Sequence, residues 1–161
     1  MVTKARDRRW EELEKGRTSL ERLIKHFEAY NRSEGKSPQT VDYYTKVLTY
    51  YRQYLEAQGY STNLEALTKE VARDFVLHLQ TRPKWEGHKN ETSANATLSP
   101  VSVQTYVRGI RAFFSWLHRE GYTEKNVLAS LKLPKAPRKL IDVLSDEEVS
   151  RILACMDTNT A

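Results

Sequence analysis

The sequence is short of the features that would exclude a plain helical domain. Its 161 residues hold one cysteine, Cys155. That rules out an intrachain disulfide framework and a cysteine-built zinc site, and makes a reducing cytoplasm the simplest home. Six glycines and five prolines are too few for a fibrous or loop-dominated chain. No apolar run, Phe75-Val76-Leu77 with Leu79 beyond His78 included, comes near the length needed to span a bilayer. Met1 to Asp7 carries basic residues with no hydrophobic segment behind them, so no secretory signal is expected. The four histidines have no metal-ligand spacing and there is no Gly-rich phosphate loop, so neither a metal nor a cofactor is expected. What is present is 39% apolar and 29% charged residues, a soluble and helix-leaning composition.

The charge is unevenly distributed. The net of +5 divides into +9 over residues 1–140, with 25 basic and 16 acidic side chains, and −4 over residues 141–161. A basic body with an acidic end suggests a polyanionic partner.

Periodicity divides the chain into helices. Residues 1–17 read as a charged N-terminal tail. Thr18-Ser19-Leu20-Glu21 has a capping-box pattern, and Leu20, Leu23, Ile24, Phe27 and Tyr30 follow as one apolar stripe that Gly35 ends. Ser37-Pro38 opens a second helix with Val41, Tyr44, Leu48, Tyr51 and Leu55 inward, ending at Gly59. Thr68 caps a third, with Val71, Phe75, Val76 and Leu79 inward. Residues 81–98 show no period and form a loop of a length that is uncommon inside a compact domain. Ser99-Pro100 opens a fourth helix with Val103, Val107, Ile110, Phe114 and Leu117 inward and Gly121 as its stop, and Asn126 can cap a short fifth helix to Leu131. Residues 132–143, with two prolines and a run of basic residues, read as an extended linker. Leu144-Ser145-Asp146-Glu147-Glu148 is a further capping box, and Val149, Ile152 and Leu153 give the last helix an apolar face with nothing after it to pack on. Residues 144–161 are therefore expected to be the start of a second domain.

The second and fourth helices repeat each other. At an offset of 62, Ser37-Pro38, Val41, Tyr44, Leu55 and Gly59-Tyr60 fall on Ser99-Pro100, Val103, Tyr106, Leu117 and Gly121-Tyr122. Both open Ser-Pro-x-(Thr/Ser), which gathers backbone N–H groups and hydroxyls at a helix N-terminus, where the dipole favours an anion. Their outward faces agree as well: Gln39, Tyr43, Lys46, Tyr50 and Gln53 on one, Gln104, Arg108, Arg111 and Ser115 on the other. Such stripes hold the donors that reach phosphates and base edges in a major groove, although a stripe alone is usually a solvated face.

This ordered series, from the Ser-x-x-Thr-Val-x-x-Tyr helix through Ser-x-x-Ser-Val and Phe113-Phe114-Ser115-Trp116-Leu117, then Gly121-Tyr122, Asn126-Val127, the basic proline linker and Leu144-Ser145-Asp146-Glu147-Glu148, resembles the N-terminal core-binding (SAM-like) domain of tyrosine recombinases and phage integrases. The resemblance covers residues 18 to 155. It implies an all-α, four- to five-helix SAM-like bundle over 18–131, followed by the linker and the first helix of a truncated catalytic domain. It implies duplex DNA as partner, with other recombinase protomers joining on the DNA, no membrane, and an isolated fragment that is monomeric. The DNA contacts it implies are Ser37, Gln39, Thr40, Tyr43 and Lys46; Ser99, Ser102, Gln104, Arg108 and Arg111; and the linker's Lys132, Lys135, Arg138 and Lys139. Gln104, Gln39 and Arg108 are the best placed for base edges. The loop from Thr81 to Leu98 is longer than the family's usual connection and is either an extra DNA or protomer contact or, the favoured reading, a tolerated insertion. The family's tyrosine nucleophile and His-x-x-Arg pair cannot be placed: Ala29, Thr81, Glu91 and Gly121 stand three residues after the four histidines. This chain is therefore expected to bind DNA and not to cut it. The competing readings are a helix-turn-helix regulator, which lacks its short helix pair here, and a helical protein-interaction module, which would show an apolar groove instead of a basic face.

Overall fold

The computed structural model describes residues 17–83, 97–137 and 144–155. Among these, the chain is all-α, as expected: α1 (Leu20–Ser33), α2 (Pro38–Ala57), α3 (Lys69–Thr81), α4 (Pro100–Arg119) and α5 (Asp146–Cys155), with a 3-10 turn at Leu64–Ala66. No described helix is long and apolar enough to cross a membrane.

The helices begin and end where local chemistry dictates. Ser37 and Ser99 sit just outside α2 and α4 in extended backbone, and proline takes the first helical position in each. Both helices run 20 residues, and both close on a glycine at φ 73°, Gly59 and Gly121. Only glycine adopts that left-handed turn without a Cβ penalty. The closing bonds are copies too: Tyr60 N donates to Leu55 O at 2.9 Å and Tyr122 N to Leu117 O at 2.8 Å. At α1 the cap is Ser19, whose hydroxyl accepts from Arg22 N. The Thr18–Glu21 capping box does not form, and Glu21 pairs instead along the helix with Lys25 at 3.1 Å.

The apolar stripes pack into one core. Leu20, Leu23 and Phe27 of α1, Leu48, Tyr51 and Leu55 of α2, Phe75 and Leu79 of α3, and Val107, Ile110, Phe113, Phe114 and Leu117 of α4 are all buried. The centre is aromatic: Phe27 meets Phe113 edge-on at 5.5 Å and Trp116 at 5.0 Å. A second group gathers Tyr51, Tyr54 and Phe75 between α2 and α3. Asn31 is the exception in a buried set that is otherwise apolar, and it is satisfied. Its amide donates to Phe27 O at 2.7 Å and its oxygen accepts from Lys36 Nζ at 2.7 Å.

The long 81–98 connection has a closed stem. Pro83 and Thr97 form an isolated antiparallel bridge, and Leu98 N donates to Arg82 O at 3.2 Å. The segment between lies outside the described residues. The stretch Asn126–Leu131 is a pair of hydrogen-bonded turns, not the short helix its cap suggested: Ala129 N donates to Asn126 O and Leu131 N to Leu128 O. Asn126 does act as a local cap, accepting from Leu128 N at 3.1 Å. The capping box at the start of α5 forms in both directions. Glu148 accepts from Ser145 N at 2.8 Å, and Ser145 Oγ accepts from Glu148 N at 3.3 Å. None of the α5 residues is buried.

Candidate nucleic-acid interface

The site is built where the two repeated helices cross. They pack tightly at Gly109, where an added Cβ would lie 2.8 Å from Val47 Cγ1. Val47 and Gly109 are equivalent positions of the repeat, 62 apart. The neighbouring equivalent pair is joined as well, for Tyr43 Oη donates to Thr105 O at 2.6 Å. The helices thus meet at matching points, and each N-cap lies ten residues before its own crossing residue. At 1.5 Å per residue each cap stands about 15 Å from the crossing, so the two are at most about 30 Å apart.

The caps share their chemistry. Ser37 Oγ accepts from Thr40 N at 3.2 Å and shares a hydrogen with Thr40 Oγ1 at 2.9 Å. Ser99 Oγ accepts from Ser102 N at 3.1 Å and pairs with Ser102 Oγ at 2.9 Å. Each cap therefore retains one hydroxyl hydrogen to donate outward. Fewer amides remain than the sequence pattern suggests. Proline has no N–H, the serine takes the third amide, and Val41 and Val103 bond back to Ser37 O and Ser99 O. The second amide of each first turn, Gln39 N and Val101 N, is left without a partner among the described residues.

Between the helices lies a cleft of 460 Å³ lined by Gln39, Asp42, Tyr43, Lys46, Val47, Ser102, Thr105 and Tyr106. Lys46 extends over it, paired to Asp42 at 2.7 Å with both side chains mostly exposed. Such a pair contributes at most about 1 kcal/mol, so the ammonium is readily given up to another anion. Tyr43 is half-buried. Burial pushes its hydroxyl above the usual phenol range, and the nearby Arg108 pulls the other way. Tyr50 is packed inward rather than outward, its ring against Tyr106 at 5.5 Å and its hydroxyl 3.0 Å from His78 Nε2.

The stripe on α4 is partly covered by the chain's own exit. Ser115 Oγ accepts from Asn126 Nδ2 at 3.0 Å, and Gln104 Nε2 donates to Pro134 O at 2.6 Å. The outgoing segment therefore runs antiparallel to α4 from Ser115 back to Gln104, with Leu128 and Leu131 buried beneath it. Arg108 and Arg111 lie between these two anchors. Arg108 is exposed and its guanidinium reaches Gln104 Oε1 at 3.4 Å, while Arg111 is half-buried. Lys132 and Lys135 of the outgoing segment are exposed. Of the implied contacts, the structure brings Gln39, Tyr43, Lys46 and Ser102 to the one cleft, with Ser37 and Thr40 at the α2 cap and Ser99 at the α4 cap, while Gln104, Arg108, Arg111, Lys132 and Lys135 lie along α4 and the segment that leaves over it. Arg138 and Lys139 lie outside the described residues.

Sequence reasoning missed the engagement of Gln104. A polar stripe gives the positions that face away from the core, but not whether a later segment returns to cover them. Leu133, an apolar residue within the basic linker, was the available signal. Among the described residues no group of three His, Cys, Asp or Glu side chains could hold a metal ion.

Residues 23–124 match the family described as phage integrase, N-terminal SAM-like domain. The chain belongs to that family. It is 30% identical over 142 residues to tyrosine recombinase XerC of Oceanobacillus iheyensis, covering 88% of this chain and 42% of that protein. It is 33% identical over 132 residues to tyrosine recombinase XerA of Thermococcus kodakarensis, covering 82% of this chain and 37% of that protein. The integrase from mycobacterium phage Brujita shares the fold with a TM-score of 0.56 at 18% identity, over 84% of this chain and 40% of that one. The chain thus spans about two fifths of the length of these relatives. An integrase N-terminal SAM-like domain, all-α around one core, is what the sequence series led one to expect.

Proposed function

We propose that the bundle binds duplex DNA as the core-binding unit of a site-specific recombinase, acting in DNA integration or recombination in the cytoplasm alongside other protomers on the same DNA. The observation that carries this reading is the crossing of α2 and α4 at equivalent positions, which sets two like Ser-hydroxyl caps within about 30 Å, inside one turn of B-DNA at about 34 Å. Hydroxyls and the amides of Gln39 and Val101 suit phosphate oxygens, and Lys46 of α2, Arg108 and Arg111 of α4, and Lys132 and Lys135 of the outgoing segment supply cations for further phosphates. Gln39 and Arg108 have the donor geometry for base edges. In this reading residues 18–131 bind, residues 132–143 link, and residues 144–161 open the following domain. Strand cleavage belongs to residues outside this chain.

The test is a fluorescence-anisotropy titration with a generic duplex at several salt concentrations. If the five cations named above each meet a phosphate, log K should fall against log salt with a slope of about −4.5. The variant Arg108→Glu/Arg111→Glu should abolish binding with the fold intact. No binding by the folded wild type at low salt would overturn the proposal. The exposed apolar residues of α5, Val149, Ile152 and Leu153, would then be the surface to examine for a protein partner.

A further inference from the structure

The outgoing segment is fixed to α4 by two side chains of different kinds. Asn126 holds Ser115, and both belong to a region already closed by the buried Leu128. Gln104 holds Pro134, the farther end, where the chain has left the core. Beyond Leu131 the partly buried Leu133 still packs on the bundle and Pro134 and Ala136 are half-buried, while Lys132 and Lys135 are exposed. Pro134 contributes a carbonyl and no N–H, so it can be held only by a donor. Gln104 supplies that donor at 2.6 Å and turns its other atom to Arg108. A glutamine is suited to both tasks at once, with a donor for the carbonyl and an acceptor for the guanidinium.

We infer that Gln104 is a positioning residue: its bond to Pro134 fixes the exit path of the linker along α4 and holds Lys132 and Lys135 beside Arg108 and Arg111. It thereby adds the two lysines to the phosphate-binding surface and is not itself a reader of bases. The second half of this inference rests on the DNA reading above, while the first half does not.

Backbone 15N relaxation on the full 161-residue chain tests the first half. In the wild type the amides of Lys132, Leu133 and Lys135 should show order parameters near 0.85, as in rigid backbone, and in Gln104→Ala they should fall below about 0.6. Gln104→Glu keeps the acceptor for Arg108 and loses the donor, so it should loosen the segment equally. Unchanged melting and unchanged α4 amide resonances confirm that both variants are folded. Low order in the wild type, unchanged order in both variants, or order lost in Gln104→Ala but kept in Gln104→Glu would each overturn the inference.

The salt dependence of duplex binding tests the second half. Gln104→Ala should make the slope of log K against log salt shallower by up to about 1.8, the share of two phosphate contacts. Lys132→Ala/Lys135→Ala should do the same, and adding Gln104→Ala to that pair should change nothing more. A wild-type slope in Gln104→Ala, or additive losses, would overturn the coupling. If the wild type binds no duplex, the functional proposal fails while the relaxation data still decide the role of Gln104.

Discussion

Placing a methyl group on Gly109 tests the helix crossing on which the candidate interface depends. The new Cβ would stand 2.8 Å from Val47 Cγ1 and 3.2 Å from both Val47 Cβ and Tyr43 Oη. Carbon atoms in contact prefer about 3.5–4.0 Å, so a gap of about 0.7 Å must open. Val47 cannot make room by rotating. It is 4% exposed, and a β-branched side chain in a helix has one strongly preferred rotamer. Tyr43 is tethered to Thr105 O at 2.6 Å. Relief therefore requires moving α2 away from α4, and overpacking of this kind costs about 1–3 kcal/mol. Alanine in place of glycine in a helix returns about 1 kcal/mol. Gly109→Ala should therefore gain nothing from its better helix propensity and destabilise the bundle by up to about 2 kcal/mol in urea unfolding followed by circular dichroism. For a bundle of this size that is a fall in Tm of about 4 °C per kcal/mol. Val47→Ala removes the obstructing methyl, so the double variant should be more stable than the two single losses combined, by at least about 0.5 kcal/mol. If Gly109→Ala is instead more stable than the wild type by about 1 kcal/mol, propensity alone is acting. The helices would then not touch at this point, and the two caps would have no reason to share a surface.

Other consequences follow from single side chains. Tyr51 is fully buried and its hydroxyl has no partner among the described residues; Tyr51→Phe removes a desolvated group and should leave urea stability unchanged or raise it by up to about 1 kcal/mol. Ser37→Ala and Ser99→Ala each remove an N-cap acceptor and should cost about 1 kcal/mol apiece, and because the caps lie on different helices the losses should add in the double variant. The Glu148 carboxylate is held below its usual pKa by the Ser145 backbone N–H and then by the Ser145 hydroxyl. A lowered folded-state pKa favours the helix above the ordinary glutamate value of 4.5 and loses that support as pH falls through the folded value. Chemical shifts of α5 should therefore move toward coil on acidification below about pH 4.5, and Ser145→Ala should weaken the dependence; a titration identical in the two proteins would refute the cap.

Most of the fold could be read from the sequence because two local signals agreed. In α4 every residue of the predicted inward face, Val103, Val107, Ile110, Phe114 and Leu117, is buried, and the Ser-Pro start and glycine stop stand where the pattern put them. In α3 the agreement is weaker. Phe75 and Leu79 are buried, but Ala72 takes the place expected of Val71 and Val76, which sit half-buried at the flanks. Such rotations of a stripe are set by the neighbouring helix, which periodicity does not specify. Ser19 displaced Thr18 as cap because Leu20 N must pair with Thr62 O, a contact from 42 residues away.

The site was legible in kind but not in detail, and the difference lies in what a helix face does once another segment reaches it. The offset of 62 correctly paired α2 with α4 as copies, yet only the fold shows that equivalent residues touch, Val47 with Gly109 and Tyr43 with Thr105. That contact turns two solvated-looking stripes into one cleft and withdraws Tyr43 and Tyr50 into packing. The same reasoning explains Gln104. Its position on the α4 stripe made it a donor facing outward, which it is, but the nearest acceptor is Pro134 of its own chain. With one N–H given to a carbonyl at 2.6 Å and its oxygen turned to Arg108, the Gln104 amide is not free for the bidentate contact that reads a base, whereas Lys46, in an exposed pair with Asp42, loses little by exchanging a carboxylate for a phosphate. The polar residues of the crossing thus divide by the strength of what they already hold: the exposed Lys46 and the cap hydroxyls remain available to an anion, and the half-buried Gln104 amide holds the segment that carries Lys132 and Lys135.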